Sequence, residues 1–403
     1  MMKKLSIILT TLYLLLFAGA LADAKPIQVG AERLEQYLPM LKGKRVGMMV
    51  NQSSLVGKQH LVDVLLGHDV NIVFVLAVEH GFRGDAGAGE TIDSSVDSKT
   101  GVPIISLYGK QKKLNAEQAS RIDVLIYDLQ DVGVRFYTYS RSLHFLLQAC
   151  HENNKQLLVL DRPNPNGDYI AGPILKPAFK SGLSIDPLPL VHGLTMAELA
   201  LLIKGQAYLE GKGNCNLSTV PVANYDHNMA YSLPVRPSPN LPNDLSIRLY
   251  PSLALFEGTP VSVGRGTDLP FQVLGYPDKT MGDFEFVTKP ISGSWSKLNH
   301  EGIQLYGEHF IEPFRFSLEP LLRWRTKFKS LDTPLINRPS FFDKLMGDDG
   351  LRKALDEGTD LDILQKNWQS ELSHYQAIRQ KYLLYPDSHW IKQSFPQPGT
   401  GTP

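Results

Sequence analysis

The sequence contains little cysteine and no block of like charge. Its 403 residues include two cysteines, Cys150 and Cys215, which are too few for a disulfide framework or a four-thiolate zinc site. Basic and acidic residues are equal in number, at 41 each, and no run of five like charges occurs. The composition therefore argues against a nucleic-acid-binding surface and against a polyanionic tail.

Several motifs of catalysis and cofactor binding are also missing. The chain has no GxSxG elbow and no GxxxxGKS/T loop, which argues against a serine hydrolase of the common type and a P-loop NTPase. The glycines between Gly84 and Gly89 have the wrong order for a dinucleotide fingerprint. His80 has no partner at metal-ligand spacing. We therefore expect neither a metal nor another cofactor.

The first residues are typical of an export signal. Lysines precede an apolar run over residues 5–20, and Ala20, Ala22 and Ala24 satisfy the small-x-small rule of signal peptidase. The alternative is a membrane anchor, because the run is close to the shortest length that spans a bilayer. We expect residues 1–24 to be removed and the mature protein to be periplasmic or secreted, without a stable membrane anchor.

From Lys44 onward, short apolar runs alternate with helical stretches. The predicted strands cover residues 46–50, 71–78, 102–108, 124–129 and 156–160. Helices are predicted at 60–66 and 139–150, and two capping boxes, Asn115 with Gln118 and Thr195 with Glu198, mark further helix starts. Because the apolar runs do not alternate with polar residues, they indicate a parallel sheet covered on both faces.

The pattern changes after about residue 243. Segments rich in glycine, proline and aromatic residues follow, and the length and the 43% hydrophobic composition favour two domains. A last helix carries an apolar stripe at spacings of three and four, which predicts packing against a core: Leu364, Trp368, Leu372, Tyr375, Ile378 and Tyr382. We expect domains over residues 25–243 and 244–393, and a tail over 394–403.

Polar residues gather directly after the predicted strands. In an open parallel sheet, ligands bind beyond the carboxyl ends of the strands, so these positions are the ones to consider for function. They combine carboxylates, amides, arginines and aromatic rings, which is the chemistry of a sugar-binding site. The residues that carry this prediction are Asn51, Glu79, His80, Arg83, Asp128, Gln130, Asp131, Arg135, Tyr137 and Asn164.

Each of these positions also has a structural interpretation. Asp161 and Asn164 lie before prolines and are good turn formers, and Asp131 could cap the following loop or pair with Arg135. Glu79 is harder to explain in this way, because it ends an apolar run. Its carboxyl group would be partly removed from water, which favours the protonated form that a general acid needs.

Several motifs together resemble one enzyme family. They are VNQSS, EHGFRGDAGAGE, YDLQDVGVRFYTY, LDRPNPNG, VHGLT, PSPNLPN and FEGTPVSVGRGTD. The combination resembles the exo-β-N-acetylmuramidases over nearly the whole mature chain. The resemblance implies a larger Rossmann-like domain and a smaller C-terminal α+β domain with the active site in the cleft between them. It also implies hydrolysis of terminal N-acetylmuramic acid from the non-reducing end of peptidoglycan fragments.

Two other functions are alternatives to this glycosidase. A non-catalytic protein of the cell envelope could use the same cleft to hold muropeptides, and release of the aglycone from a chromogenic muramic acid glycoside would separate it from an enzyme. An amidase or esterase acting on the same material is disfavoured, because no serine or cysteine nucleophile motif is present.

For the enzyme, Glu79 is predicted to be the general acid. Its partner would be Asp128 or Asp131, which would activate water or stabilise positive charge at the anomeric carbon. Carboxyl groups about 5 Å apart would favour retention of configuration, and a separation of roughly 6.5–9.5 Å would favour inversion.

The remaining predictions concern substrate binding. Asn240, Glu257 and Arg265 are expected to line the cleft from the C-terminal side, although a stiff linker and a turn would explain the same residues. Muramic acid differs from N-acetylglucosamine by a lactyl carboxylate, which an arginine binds well. Arg83, Arg135 and Arg265 are the candidates, with Arg162 a weaker one because Pro163 suggests an outward side chain. Ion pairs of Arg83 with Asp85 and of Arg265 with Asp268 are the structural alternatives.

Overall fold

A seven-stranded sheet dominates the larger part of the molecule. The computed structural model describes residues 25–79, 81–83, 95–107, 111–291, 298–359 and 361–395. The strands before residue 243 are β1 (Arg45–Val50), β2 (Leu55–Val56), β3 (Gln59–His60), β4 (Asn71–Ala77), β5 (Ser95–Val96), β6 (Pro103–Ser106), β7 (Val124–Asp128), β8 (Gln156–Leu160), β9 (Ala171–Ile174), β10 (Pro189–Val191) and β11 (Asn216–Val220). The helices are α1 (Leu34–Leu41), α2 (Leu61–Gly67), α3 (Ala116–Ser120), α4 (Tyr139–Glu152) and α5 (Met196–Gly205).

The strand order of this sheet is β11-β8-β7-β1-β4-β6-β5. The neighbours pair in parallel, except that the short edge strand β5 runs antiparallel to β6. The chain builds outward from β1 in one direction through β4 and β6, and then in the other direction through β7, β8 and β11. This is the order of a doubly wound Rossmann-like sheet, and the reversal point lies between β1 and β7.

Separate hydrophobic cores cover the two faces of the sheet. Met49 of β1 packs in the core formed with α4 and α5, whereas its neighbours Val46, Met48 and Val50 belong to the core formed with α1 and α2. Both faces of β1 are buried in this arrangement, so residues 46–50 present no polar face. The predicted sheet with two covered faces is confirmed.

Both predicted capping boxes are present. The Asn115 side chain accepts a hydrogen bond from the backbone N–H of Gln118 at the start of α3. Thr195 accepts from the backbone N–H of Glu198 at the start of α5, and the Glu198 carboxylate accepts from the Thr195 N–H in return. These reciprocal bonds satisfy N–H groups that a helix start leaves without partners.

The part after residue 243 has a smaller sheet and several helices. Its strands are β12 (Val273–Tyr276), β13 (Phe284–Val287) and β14 (Gln304–His309), which pair antiparallel in the order β12-β14-β13. Its helices are α6 (Asp244–Leu253), α7 (Glu319–Lys329), α8 (Pro339–Met346), α9 (Gly350–Glu357), α10 (Leu361–Arg379) and α11 (His389–Ser394). The molecule is therefore an α/β protein with a smaller α+β part.

The long helix α10 packs back onto the first part of the chain. Trp368, Leu372 and Tyr375 are buried, as the apolar stripe predicts, and Arg379 donates hydrogen bonds to the carbonyl of Gly193 through Nε at 3.1 Å and Nη2 at 2.6 Å. The end of the chain thus reaches a loop close to the large sheet. None of the helices in the described ranges has the length and apolarity needed to cross a membrane.

The two cysteines lie inside the molecule. Cys150 and Cys215 are both buried and both carry free thiols. Burial raises the pKa of the Cys150 thiol well above its ordinary value, so this side chain behaves as a small apolar group of the core.

Candidate active site

The candidate site lies where the strand order reverses. The neighbouring strands β1 and β7 are parallel, so their carboxyl ends meet at one edge of the sheet. Asn51 follows β1, and Asp128 is the last residue of β7. In open α/β sheets a ligand crevice forms at this reversal point. The fold therefore brings the loops after β1 and β7 together, as the sequence predicts.

Asn51 connects the end of β1 to the start of α4. Its Oδ1 accepts hydrogen bonds from the N–H of Ser53 at 2.9 Å and from Ser53 Oγ at 2.6 Å, while its Nδ2 donates to Tyr139 Oη at 2.8 Å. Asn51 is fully buried. These contacts use the amide to position Tyr139.

The carboxylate of Asp128 forms an ion pair with an arginine that follows the neighbouring strand. Arg162, which follows β8, donates Nε to Oδ1 at 2.5 Å and Nη2 to Oδ2 at 2.9 Å. The side chains are 3% and 0% exposed, so the prediction that Arg162 points outward is wrong. The parallel pairing of β7 and β8 brings the two ends side by side, and a buried carboxylate requires such a partner. Both oxygens of Asp128 are occupied by this pair.

Asp131 is placed differently in the same loop. Its Oδ1 accepts a hydrogen bond from the N–H of Gly133 at 2.6 Å, which confirms the expected cap of the loop. Its Oδ2 is buried and has no hydrogen-bond partner among the described residues. Arg135 does not pair with it, and its nearest basic neighbour is His192, whose Nε2 lies 3.8 Å from Oδ1. Asp131 therefore retains one carboxylate oxygen that the fold does not use.

Gln130 holds the backbone around Asp131. Its Nε2 donates to the carbonyl of Asp131 at 2.9 Å and to the carbonyl of Pro163 at 2.8 Å, and its N–H donates to Ser53 Oγ at 3.1 Å. Gln130 is buried. Three strand-end loops are joined through this residue, which makes it a support of the site.

Glu79 follows β4 and faces the first turn of α4. Thr138, the N-cap residue of α4, donates from Oγ1 to Glu79 Oε2 at 3.0 Å, and Tyr139 donates to the Glu79 carbonyl at 3.4 Å. Glu79 is half-buried. The structure therefore places this carboxylate beside the first turn of α4. His80, which was also predicted for the site, lies outside the described residues.

Three buried tyrosines form a cluster at this site. The ring of Tyr137 packs edge-on against those of Tyr139 and Tyr250, at centroid distances of 4.9 and 6.3 Å. Burial raises the pKa of all three hydroxyls. The charge of Glu79 raises each of them further, and so does that of Asp131. Both carboxylates are therefore electrostatically close to the same tyrosine hydroxyls.

The C-terminal part contributes an arginine and a glutamate to this cluster. Arg265 donates from Nε to Glu257 Oε1 at 2.8 Å and lies over the ring of Phe271, with 4.9 Å from its Cζ to the ring centroid. After burial, the largest influences on the pKa of Tyr250 are Glu257, which raises it, and Arg265, which lowers it. Residues from both parts of the chain thus converge on Tyr250. The alternative pairing of Arg265 with Asp268 is replaced by the pair with Glu257.

Asn240 lies in the segment that covers the tyrosines. Tyr137 donates from its hydroxyl to the carbonyl of Pro237 at 2.8 Å, and Ser238 and Leu241 form an antiparallel bridge. Asn240 is buried, and its Nδ2 has no hydrogen-bond partner in the part of the chain that is described. An unused amide donor is available there for a ligand.

Arg135 does not reach the site. Its guanidinium is fully buried and donates to four backbone carbonyls, those of Pro173, Leu188, Leu345 and Met346. Burial lowers its pKa to about 9. Gly347, whose φ is 82°, ends α8 directly against this guanidinium, where a Cβ would lie 2.4 Å from Nη2. The predicted role of Arg135 in the cleft is therefore replaced by a link between the large sheet region and α8.

Two other predicted binding residues have structural partners. Arg83 forms a two-bonded ion pair with Asp97, at 2.9 and 2.7 Å. Asn164 donates to the carbonyl of Leu194 at 2.9 Å and accepts from the N–H of Asn166 at 2.8 Å. Its amide fixes the turn after β8, as the prolines suggest. Within the described residues, no group of three or more His, Cys, Asp or Glu side chains could hold a metal ion.

Comparisons with known proteins identify the family. Models of the N-terminal and C-terminal parts of exo-beta-N-acetylmuramidase NamZ match residues 46–245 and 248–385. A peptidoglycan beta-N-acetylmuramidase of Bacillus subtilis is 34% identical over 390 residues, covering 90% of this chain and 92% of that protein. The chain belongs to the exo-β-N-acetylmuramidase family. The resemblance found in the sequence motifs is confirmed, and the chain has the sequence of a glycosidase.

Solved structures of this type have the same fold. Two crystal structures of DUF1343 family proteins from Bacteroides fragilis are similar to this chain. One is 39% identical with a TM-score of 0.82 and covers 90% of this chain and all (100%) of its own. The other is 28% identical with a TM-score of 0.76, with coverages of 89% and 99%. The α/β fold therefore extends over nearly the whole chain in these family-like proteins.

Three residues of the site were missed in the sequence. Tyr250 lies in an amphipathic helix, where a tyrosine is typical of packing. Thr138 and His192 lie inside the motifs YDLQDVGVRFYTY and VHGLT, so their positions were noticed but no role followed from them. The signal that could have found His192 is its place directly after β10, in a loop that returns to the carboxyl end of β7.

Proposed function

We propose that this protein is an exo-acting glycoside hydrolase that releases N-acetylmuramic acid from the non-reducing end of peptidoglycan fragments during cell-wall turnover. The observation that supports this most is that the charges of Glu79 and Asp131 act on the same Tyr250 hydroxyl as those of Glu257 and Arg265 from the C-terminal part, and that Tyr250 packs against Phe271 under Arg265. Two carboxyl groups around a sugar are what glycosidic hydrolysis requires. The Bacillus subtilis relative is itself a peptidoglycan beta-N-acetylmuramidase by name.

Glu79 is the general acid in this proposal. A general acid must hold its proton toward the leaving oxygen, and the hydrogen bond from Thr138 to Oε2 fixes the orientation of the carboxyl group. The half-buried position leaves the carboxyl group within reach of a bound substrate. Proton transfer from a positioned carboxyl group contributes roughly 10²–10⁴-fold to the rate of such reactions.

Asp131, and not Asp128, is its partner. Asp128 has both oxygens hydrogen-bonded to Arg162, and taking up a proton would remove the negative charge that pairs with this buried guanidinium. Asp131 has a buried Oδ2 with no bond to the described protein. Asp131 therefore activates the water or stabilises positive charge at the anomeric carbon.

Arg265 is the residue that recognises the lactyl carboxylate of muramic acid. Arg135 and Arg162 are buried and hydrogen-bonded to other parts of the protein, whereas Arg265 has a side chain that is 17% exposed and lies near the tyrosine cluster. A guanidinium binds a carboxylate directionally. The pair with Glu257 and the ring of Phe271 hold the guanidinium plane in place for this contact.

The test of this function is release of N-acetylmuramic acid from an unactivated disaccharide, N-acetylmuramic acid linked to N-acetylglucosamine. The wild-type protein should release it steadily, and Glu79→Gln should reduce turnover by about 10²–10⁴-fold, since glutamine keeps the shape but cannot give up a proton. An activated nitrophenyl substrate would hide this effect, because its leaving group needs little protonation.

The matched control is Glu152→Gln at the far end of the same helix. Glu152 is a surface residue paired with Lys113, so this variant should retain wild-type turnover. Binding of the disaccharide without turnover by the wild-type protein would contradict the proposal and support the muropeptide-binding alternative. Near-native turnover by Glu79→Gln would contradict the assignment of the acid.

We also propose that the enzyme acts outside the cytoplasm. The support is the apolar run before Ala24 with its small residues at the cleavage positions. N-terminal sequencing of the protein recovered from periplasm or medium should begin at residue 25. Recovery of the intact N-terminus in the membrane fraction would contradict this and support the anchor.

A further inference from the structure

Two neighbouring residues beside the site, Asp131 and His192, each have a buried polar atom without a partner in the described part of the chain. Among the described residues, Asp131 Oδ2 and His192 Nε2 are both buried without a hydrogen bond. His192 Nε2 lies 3.8 Å from the other oxygen of Asp131, Oδ1. This distance is too long for a hydrogen bond, but in a buried environment the attraction between an N–H group and a carboxylate is substantial at this range.

The hydrogen-bond pattern of His192 fixes its tautomer. Its Nδ1 accepts a hydrogen bond from the N–H of Leu194 at 3.2 Å, so Nδ1 carries a lone pair. A neutral imidazole then holds its proton on Nε2. The N–H group of the ring therefore points toward Asp131.

The backbone around His192 is held from two sides. On one side, the His192 N–H donates to the carbonyl of Gly133 at 3.2 Å, and Val134 bridges Val191. On the other side, Tyr375 of α10 donates from its hydroxyl to the carbonyl of His192 at 2.8 Å. The imidazole is thus attached both to the Asp131 loop and to the last long helix.

The next residue admits only glycine. Gly193 has φ of 64°, and a Cβ there would lie 2.7 Å from Ile170 Cγ2 and 3.0 Å from the carbonyl oxygen of Tyr169. Arg379 of α10 binds its carbonyl through two nitrogen atoms. The turn that presents His192 to Asp131 is therefore fixed by backbone geometry and by α10 together.

We propose that His192 is a positioning residue that keeps the Asp131 carboxylate ionised and oriented, with Oδ2 turned toward the substrate. The Gly133 N–H and the His192 Nε2–H both act on Oδ1 and leave Oδ2 for the reaction. This inference rests on the proposed function of Asp131. It also gives α10 a part in the site, because Tyr375 and Arg379 hold the turn that carries His192.

Other titratable groups also lie within electrostatic range of Asp131. They are Tyr127 from β7, Tyr137 and Tyr139 at the start of α4, and Tyr250 from α6, with Glu79 across the same tyrosines. Burial raises the pKa of each tyrosine, so all four remain neutral at the pH of the reaction. None of these tyrosines carries a charge, so His192 is the side chain to replace in a test of the Asp131 carboxylate.

The experiment uses the full mature chain with His192→Phe and His192→Gln. His192→Phe should lower kcat by roughly 10-fold with KM changed little, the low end of the loss for a donor to a charged group, because the 3.8 Å contact is longer than a hydrogen bond. The acid limb of its pH–rate profile should move upward by about one unit, since a factor of ten corresponds to one unit. Glutamine can place an N–H close to the Nε2 position, so His192→Gln should recover most of the rate.

His227→Gln is the matched control. His227 is equally buried, with its Nε2 at 3.1 Å from the Glu198 carboxylate, but it lies in a different network. This variant should lose stability without a change in the acid limb. An acid limb that is the same in the wild type, His192→Phe and His227→Gln would overturn the proposal.

A second measurement does not depend on activity. The ¹³C carboxyl resonance of Asp131, assigned by comparison with Asp131→Asn, should titrate at higher pH in His192→Phe than in the wild type. If the wild type releases no muramic acid but this shift occurs, the proposed function fails and the positioning by His192 stands. An unchanged titration of Asp131 in His192→Phe would refute the positioning even if the enzyme is active.

Discussion

Asp128 is the last residue of β7 and Asp131 lies in the loop directly after it, yet the structure uses their carboxylates in opposite ways. Asp128 binds Arg162 through both oxygens and is fully buried. Asp131 accepts a hydrogen bond from the Gly133 N–H through one oxygen, and its other oxygen has no partner among the residues that the structure describes. The first arrangement holds the ends of β7 and β8 together, and the second leaves an oxygen that can act on a substrate. Saturation of hydrogen bonds, more than burial, therefore separates the structural carboxylate from the candidate catalytic one.

The arginines divide in the same way. Arg135 donates to four backbone carbonyls inside the protein, and Arg162 forms a two-bonded ion pair with Asp128. Arg265 has a partly exposed side chain beside the tyrosine cluster. The comparison predicts that replacing a saturated group damages folding, whereas replacing a group at the cluster damages catalysis or selectivity.

The largest effect is expected from exchanging the two aspartates for asparagine one at a time. Asp131→Asn should lower kcat on the unactivated disaccharide by about 10²–10⁴-fold with little loss of stability. Asp128→Asn should lower the free energy of unfolding by about 3–5 kcal/mol, because it leaves the Arg162 charge buried without its partner. Urea unfolding and single-substrate kinetics measure the two effects separately.

The opposite result would break the comparison. A stable but inactive Asp128→Asn together with an active Asp131→Asn would mean that the pair with Arg162 opens during the reaction. Asp128 would then be the partner of Glu79, as one of the two sequence predictions allows.

The next effect concerns the arginines. Arg265→Ala should lower kcat/KM for the muramic acid substrate. The loss of transition-state stabilisation should be about 2–5 kcal/mol, the usual loss when one member of a buried charge pair is removed. The poor activity on the N-acetylglucosamine analogue should change little, because that sugar has no lactyl carboxylate. Arg135→Met is the comparison variant, and it should unfold at lower urea concentration while the folded fraction keeps its selectivity. Equal slowing of both substrates in Arg265→Ala would show that another group recognises the carboxylate.

The sheet was readable from the sequence because its strands are buried on both faces. Such strands are continuous apolar runs, and the runs at β1, β4, β7 and β8 stand out for that reason. The edge strand β11 did not, since Asn216–Val220 is half-buried and mostly polar. An edge strand has one protected side, so its composition resembles that of a loop.

The partners of the site residues could not be read in this way. The strand-end rule led to Glu79, Asp128 and Asp131 together, but it does not show which carboxylate is neutralised. Arg162 is 34 positions away from Asp128 along the chain, and the proline after it gave only local information about a turn. Arg135 is close to Asp131 in sequence but points to α8 instead. Long-range packing decides these pairs, and spacing along the chain does not encode it.

The smallest effect is expected from a partly buried ion pair, that of Arg83 with Asp97. The hydrogen bonds from Arg83, followed by those from Thr100, hold the pKa of Asp97 at about 2, below its ordinary value of 3.8. A folded-state pKa below the unfolded value contributes stability above about pH 4, and this contribution disappears as the pH falls toward 2. The free energy of unfolding of Asp97→Asn should therefore be about 1–2 kcal/mol lower than that of the wild type at pH 7, and this difference should shrink at pH 3.

The exposed pair of Arg45 with Asp123 has the same two-bonded geometry. Asp123→Asn should change the urea midpoint hardly at all, because solvent screens an exposed pair. Equal losses in the two variants, or a loss in Asp97→Asn that is independent of pH, would show that saturation and burial do not set the strength of these pairs.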